Sequence, residues 1–167
     1  MINFIPIFPL EIIVYPGEEL NLHVFEPRYK QLIEECSTAS KPLGIPIIIK
    51  NNLNELGTLV EITAMSKRYE NGDFDIKTKG YKIFRILEII KDSPGKMYSG
   101  GIGKYPQNKE DSGYKVLMQA LVNSIRELHR VLNVNKDFKK TDEKLNSYDI
   151  AHHAGLSVEQ EYEFLGL

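Results

Sequence analysis

The 167-residue chain has a single cysteine, Cys36, and no tryptophan. One thiol cannot close an internal disulfide or supply a cysteine-based zinc cluster, which excludes a disulfide-stapled scaffold and indicates a reducing compartment. The core must therefore form from ordinary side chains, and an apolar fraction of 42% with seven Phe and nine Tyr is enough for that. A chain of this length corresponds to one compact domain or two small ones.

A surplus of charge and a long apolar run are also missing. The net charge is −2 and the isoelectric point is about 6.1. A general nucleic-acid binder carries a basic footprint, so we expect no nucleic-acid partner. Apolar runs such as residues 45–49 are far too short to span a bilayer. Residues 1–14 have no basic region and no small-residue cleavage site, so they match a signal peptide poorly. We predict a cytoplasmic protein without a membrane segment.

The motifs of nucleotide and metal chemistry are lacking as well. The nearest match to a phosphate-binding loop is Gly95-Lys96-Met97, which has no upstream glycine at the required spacing and no hydroxyl for magnesium. His152 and His153 are adjacent, so on a helix they point about 100° apart and do not easily share an ion. We therefore predict no catalytic residue, no cofactor and no metal.

Two residues with reactive side chains have plainer interpretations. Cys36 falls on the apolar stripe of a predicted helix and has no basic neighbour in sequence, which favours a buried, inert thiol over a nucleophile. His23 lies in a predicted strand. For it we expect a structural role, bonded to a neighbouring backbone group, rather than a catalytic one.

The chain changes character near residue 106, which predicts an α+β fold in two parts. Residues 1–106 hold short segments rich in Ile, Val, Phe and Tyr, and residues 107–167 have helical apolar spacing. In the first part, Pro27 suits the first position of a helix. Gly80 interrupts a strand pattern and suggests a bulge or a close backbone approach. The predicted strands are residues 20–25, 44–50, 57–69, 74–78, 81–90 and 97–105, after an extended stretch at residues 4–15.

Three helices are predicted in the second part. Asp111 or Ser112 caps a long first helix, and Ser147 caps a short second one. Ser157 with Gln160 forms a capping box for the last helix. The predicted apolar stripe of the first helix consists of Tyr114, Leu117, Met118, Leu121, Ile125, Leu128 and Leu132.

Two stretches resemble a known family. The first opens with Phe8-Pro9-Leu10, continues through Pro16-Gly17 and Leu20-Asn21-Leu22-His23, and ends with Phe25-Glu26-Pro27-Arg28-Tyr29. The second is Gly80-Tyr81-Lys82-Ile83-Phe84-Arg85-Ile86, in which Ile83 replaces the family's first arginine. Both are similar to the N-terminal domain of Lon-type ATP-dependent proteases. Similarity at residues 56–60, 147–151 and 156–160 extends the resemblance over nearly the whole chain.

The resemblance implies a mixed β pseudo-barrel of PUA-like fold with one helix, followed by a C-terminal helical part. It also implies a module that handles protein substrates, here in a stand-alone form without the ATPase and protease parts of Lon. Family members normally continue with at least one more long helix, whereas this chain stops at Leu167. We therefore expect either a reduced helical part or a fragment.

The motif Phe25-Glu26-Pro27-Arg28-Tyr29 has two interpretations. As a docking surface it would present Phe25, Glu26, Arg28 and Tyr29 to a partner, and Arg85 is a further candidate for binding. As a plain strand-to-helix corner, Phe25 and Tyr29 would pack, and Glu26 would favour the helix N-terminus electrostatically. Arg28 would then pair with a carboxylate elsewhere.

Taken together, these features predict a non-catalytic protein-binding module whose partner is an unfolded client or a larger machine. Such a module needs an exposed apolar patch or an unpaired strand edge, which we expect in the β-rich part. A second copy of the chain in a homodimer could use the same surface. Two alternatives stay open: an RNA-binding module of PUA-like fold, and a small-ligand pocket among Tyr and Phe side chains.

Overall fold

The structure, a computed structural model, describes residues 3–107 and 115–167. Six strands and four α-helices lie in these residues, which confirms the predicted α+β class. Helix α1 begins at Pro27, as predicted, and the two strands predicted at residues 74–78 and 81–90 are one continuous strand, β5. The elements are β1 (Asn3–Pro6), β2 (Glu19–Val24), α1 (Pro27–Thr38), β3 (Leu43–Ile49), β4 (Asn52–Arg68), β5 (Phe74–Ile90), β6 (Gly100–Lys104), α2 (Lys115–Val131), α3 (Ser147–Ala151) and α4 (Val158–Leu165).

The strands close into a barrel. Antiparallel pairs give the order β1-β6-β5-β4-β3. The chain that follows β1 then pairs with β3 through two parallel bridges, from Ile7 to Gly44 and from Leu10 to Ile47. Its backbone hydrogen bonds include that from the Phe8 N–H to the Gly44 carbonyl, at 2.8 Å. The ring of strands is thereby complete, with both antiparallel and parallel pairing, as expected for a mixed pseudo-barrel.

Gly80 marks a kink in β5, as its place in the sequence predicts. Gly80 faces Val60 on β4, but the next pair is Lys82 with Leu59, so Tyr81 forms a bulge. A Cβ on Gly80 would lie 2.5 Å from the backbone oxygen of Tyr15. The missing side chain therefore lets the turn after Tyr15 pack directly on β5.

Strand β2 lies beside the barrel ring and pairs only with β5. Helix α1 covers the inner side of this region because its apolar stripe, Leu32, Ile33 and Cys36, is buried there. Burial raises the pKa of the Cys36 thiol to about 11, which agrees with the predicted inert role. The opposite edge of β2 has no strand partner among the described residues, as expected for an open edge in the β-rich part.

The two last helices pack on the barrel. Ala151 of α3 and Leu165 of α4 share a buried cluster with barrel residues that include Ile13 and Ile83. The capping box of Ser157 and Gln160 is present at the start of α4, as predicted. For α3 the prediction was wrong by one position. The cap is Asn146, whose side chain accepts a hydrogen bond from the Asp149 N–H, and Ser147 is the first helical residue.

Helix α2 packs differently from its prediction. Its proposed caps and Tyr114 lie outside the described residues. The buried side of the helix consists of Val122, Ile125 and His129, and the first two pack on Leu145 and Ile150. The predicted stripe is therefore only partly correct, because the position of α3 decides which side of α2 is covered. Four stripe leucines are exposed instead: Leu117, Leu121, Leu128 and Leu132.

No helix in the described ranges is long and apolar enough to cross a membrane.

Candidate functional site

The strand-to-helix corner at Phe25 is set by proline. Pro27 is the first residue of α1, and Glu26 before it has extended backbone angles (φ −75°, ψ 133°), as the residue before a proline prefers. The Glu26 side chain makes no capping hydrogen bond to the helix. It accepts a hydrogen bond from Nε of Arg28 at 2.9 Å instead. Arg28 was expected to pair with a carboxylate elsewhere, but its partner lies two residues away because the tight corner brings the two side chains together.

The two aromatic residues of this corner have different surroundings. Tyr29 is partly buried and stacks on Phe8 with ring centroids 4.1 Å apart, and burial raises the pKa of its hydroxyl. Phe25 was also expected to pack in the corner interpretation, but 60% of it is exposed. Arg28 covers the Tyr29 ring, with its guanidinium 4.7 Å from the ring centroid. The motif therefore anchors itself through Tyr29 and leaves Phe25 in solvent.

A charged network borders Phe25. The His23 ring lies 6.1 Å from the Phe25 ring, and its Nδ1 lies 2.6 Å from Oδ1 of Asp75. His23 was expected to bond to backbone, but its strand position places it directly opposite Asp75 on β5. The hydrogen bond with His23 lowers the pKa of Asp75. Lys30 of α1 lies 2.8 Å from Asp73 and lowers the pKa of that carboxyl.

The open edge of β2 leads into this corner. Its side chains alternate, so that Glu19, Asn21 and His23 are exposed while Val24 is buried. Glu19 lies directly opposite Lys79 on β5, a favourable cross-strand pair of opposite charges. The corner and the edge therefore form one continuous surface, in which a strand edge without a strand partner among the described residues ends at the exposed ring of Phe25.

The structure does not bring Arg85 to this surface. At about 3.3 Å per residue, Arg85 lies up to roughly 35 Å along β5 from Phe74, the partner of Val24. Its guanidinium is 3.0 Å from the Glu55 carboxylate. It borders a separate cavity of about 480 Å³, together with Tyr81 and Tyr105.

A second cavity, of about 560 Å³, lies between the turn at residues 15–19 and α3. The sequence carried no signal for its main polar contact. His152, directly after α3, lies between Glu161 of α4, 2.7 Å from Nδ1, and Glu18 of the barrel turn, 3.0 Å from Nε2. Hydrogen bonding to Glu18, and then to Glu161, raises the pKa of His152. This histidine thus joins the C-terminal helices to the barrel.

The described part of the chain contains no cluster of side chains suited to metal binding, and its cysteine is not placed to act as a nucleophile. No three His, Cys, Asp or Glu residues there are arranged to hold a metal ion. Cys36 is buried. The features that stand out are two exposed surfaces: the Phe25 corner with the β2 edge, and the exposed leucines of α2.

Comparison with known proteins points to one family. A sequence profile of the ATP-dependent protease La (LON) substrate-binding domain matches residues 5–165. No curated protein sequence matches the chain. The structure is similar to that of the Lon N-terminal domain protein from Xanthomonas campestris, with a TM-score of 0.76 and 21% identity over 99% of this chain and 90% of that one. The N-terminal domain of Mycobacterium avium complex Lon protease gives a TM-score of 0.68 and 15% identity over the same shares. At these identities the two structures show a shared fold.

Proposed function

The chain belongs to the LON substrate-binding domain family, and on that footing we propose that it is a non-catalytic module that binds other proteins. The profile match over residues 5–165, nearly the whole chain, is the observation that carries this proposal. The partner is an unfolded client or a protein of a larger machine. The chain neither hydrolyses ATP nor cleaves peptide bonds itself.

The binding surface in this proposal is the Phe25 corner together with the open edge of β2. An extended client segment that adds to β2 would gain main-chain hydrogen bonds. An apolar side chain of that segment would cover Phe25, whose ring is otherwise exposed to water. Glu26 and Arg28 neutralise each other, so the surface would not select strongly for charge. Tyr29 holds the corner in place through Phe8.

Arg85 belongs to a second contact in this proposal. The cavity it shares with Tyr81 and Tyr105 would hold a more distant part of a long client. Because Arg85 already pairs with Glu55, its role would be to shape that cavity rather than to supply free charge. Changes here should weaken long clients more than short peptides.

The proposal includes a division of the chain into two parts, a cellular compartment and an oligomeric state. Residues 1–106 would form the binding unit and residues 107–167 a helical subdomain attached to it. The protein would act in the cytoplasm, where a lone buried thiol is stable. It would also form a homodimer.

Replacing Phe25 tests the client site. In a fluorescence anisotropy titration with labelled casein, an unfolded protein, Phe25→Ser should raise the dissociation constant about tenfold, because an exposed aromatic anchor typically contributes 1–2 kcal/mol to binding. Leu87→Ser is the matched control, since Leu87 of β5 is 52% exposed; it should bind like the native chain. Native affinity in the Phe25 variant would place the client elsewhere, and no casein binding by the native chain would remove the proposal.

A further inference from the structure

Helix α2 carries an uncharged row that nothing in the described part of the chain covers. The row is spaced 4-3-4-3 along the helix, and its four aliphatic members are between 43% and 64% exposed. It lies about 100° around the helix from the buried side, since Leu121 precedes the buried Val122. Its members are Leu117, Leu121, Ser124, Leu128 and Val131.

This spacing favours a second helix as the occupant. Alternating steps of three and four residues give a period of 3.5, the seam of a coiled coil. The row extends over two heptads of a helix that is about 25 Å long. The side chains at the centre of the row are small, because Ser124 lies there with Ala120 beside it. Another helix axis can therefore approach closely at this point. The Ser124 hydroxyl donates to the Ala120 carbonyl at 2.9 Å, and it would therefore not be left unpaired in a dry contact.

The charges around the row favour a second copy of this chain. No charged side chain lies in the row. Glu127, which precedes Leu128 of the row, is paired with Arg130 at 2.6 Å, and Arg126 on the far side is paired with Asp142 at 2.7 Å. A charged partner would find no free countercharge among the described residues beside the row. The partner should be an uncharged apolar helix with small residues at its centre. The α2 row of a second copy has these properties.

We infer that two copies of this chain associate through the α2 row, around a two-fold axis. This inference rests on the proposed homodimer and not on client binding, which lies on the barrel. The exposed aliphatic area of the row, with Leu132 beside it, is roughly 300 Å² per copy if a whole leucine side chain presents about 100 Å². A pair would bury about 600 Å² of apolar area, which corresponds to roughly 900 Å² in total if about 65% of the interface is apolar, still below the 1,200–2,000 Å² of stable complexes. The dimer is therefore weak and depends on concentration.

Sedimentation velocity from about 10 to 500 µM tests the contact, because a weak dimer with a dissociation constant of roughly 100 µM changes from monomer to dimer across that range. The native chain should shift from monomer to dimer as concentration rises. The double variant Leu121→Lys/Leu128→Lys should stay monomeric throughout, and Leu87→Lys, an equally exposed leucine on the barrel, should behave like the native chain. Circular dichroism checks that each variant is folded. Leu117→Gln is a milder change for the case in which the double variant unfolds, and it should weaken dimerisation severalfold.

Two results would overturn the inference: a native chain that stays monomeric up to 500 µM, or a folded double variant that dimerises like the native chain. Casein titrations distinguish this failure from that of the proposed function. The double variant should bind casein with native affinity, because the client surface is on the barrel. A monomeric native chain that loses casein binding on α2 substitution would show that the row takes clients instead.

Discussion

Two neighbouring histidines show that the surroundings of a residue decide whether its pKa is raised or lowered in the folded chain. His152 lies between the carboxylates of Glu18 and Glu161, which raise its pKa. His153 is turned away from them, and burial lowers its pKa. The sequence predicted that the two rings point to different sides, but not their partners, because Glu18 is 134 residues away along the chain.

The raised pKa of His152 predicts a pH-dependent attachment of the C-terminal helices. A histidine whose pKa rises on folding stabilises the fold fully below its unfolded pKa of about 6.5, and this contribution is lost as the pH rises through the folded value. The difference in free energy of unfolding between the native chain and His152→Gln should therefore be largest in acid and shrink above about pH 6.5. Urea titrations across this range measure it.

His153→Gln is the control for that experiment. Because the folded pKa of His153 is lowered, its protonation opposes folding, so the native chain should lose stability relative to this variant as the pH falls. The slopes of the two variants should have opposite signs. A His152→Gln difference that does not change with pH would mean that His152 is not charged when it joins Glu18 to Glu161.

Individual elements were predictable where a local rule fixes them. Pro27 starts α1, Ser157 and Gln160 cap α4, and Gly80 kinks β5, because each of these depends on a backbone position that few residue types satisfy. The buried side of α2 was not predictable in the same way. An apolar stripe shows that a helix has a side to bury, but Val122 and Ile125 are buried because Leu145 and Ile150 lie against them.

Replacing Gly80 tests why β5 is kinked. In Gly80→Ala the new methyl group would lie 2.5 Å from the Tyr15 carbonyl oxygen, so β5 or the turn must move. We expect a loss of about 1–3 kcal/mol in free energy of unfolding, the usual cost of overpacking. Gly101→Ala on β6 is the matched control, since its methyl group would meet neighbours only at 3.5 Å or more. Equal losses in urea titrations of both variants would contradict the steric account of the kink.

The proposed client site could be predicted only in part. The sequence singled out Phe25 and its neighbours, but the exposure of Phe25 and the free edge of β2 depend on which strands pair, and that is a property of the barrel. Arg85 was grouped with them by its motif, although the length of β5 separates the two places. A motif shared with a family therefore identified residues, whereas the assembled sheet determines which of them can act together.

For the whole molecule, the distribution of charge predicts weak binding to RNA. Each of the five arginines pairs with a carboxylate: Arg28 with Glu26, Arg68 with Glu34, Arg85 with Glu55, Arg126 with Asp142 and Arg130 with Glu127. A phosphate would have to displace those partners, and the net charge of −2 adds no long-range attraction.

Binding to a labelled single-stranded RNA should therefore be detectable only at low ionic strength and should vanish at physiological salt, because few counterions are released. Filter binding from about 20 to 200 mM salt measures the slope, and casein binding in the same buffers is the reference, since a contact built on Phe25 and the backbone of β2 should change little over that range. A micromolar or tighter complex with a defined RNA at physiological salt would make RNA the partner that this barrel recognises.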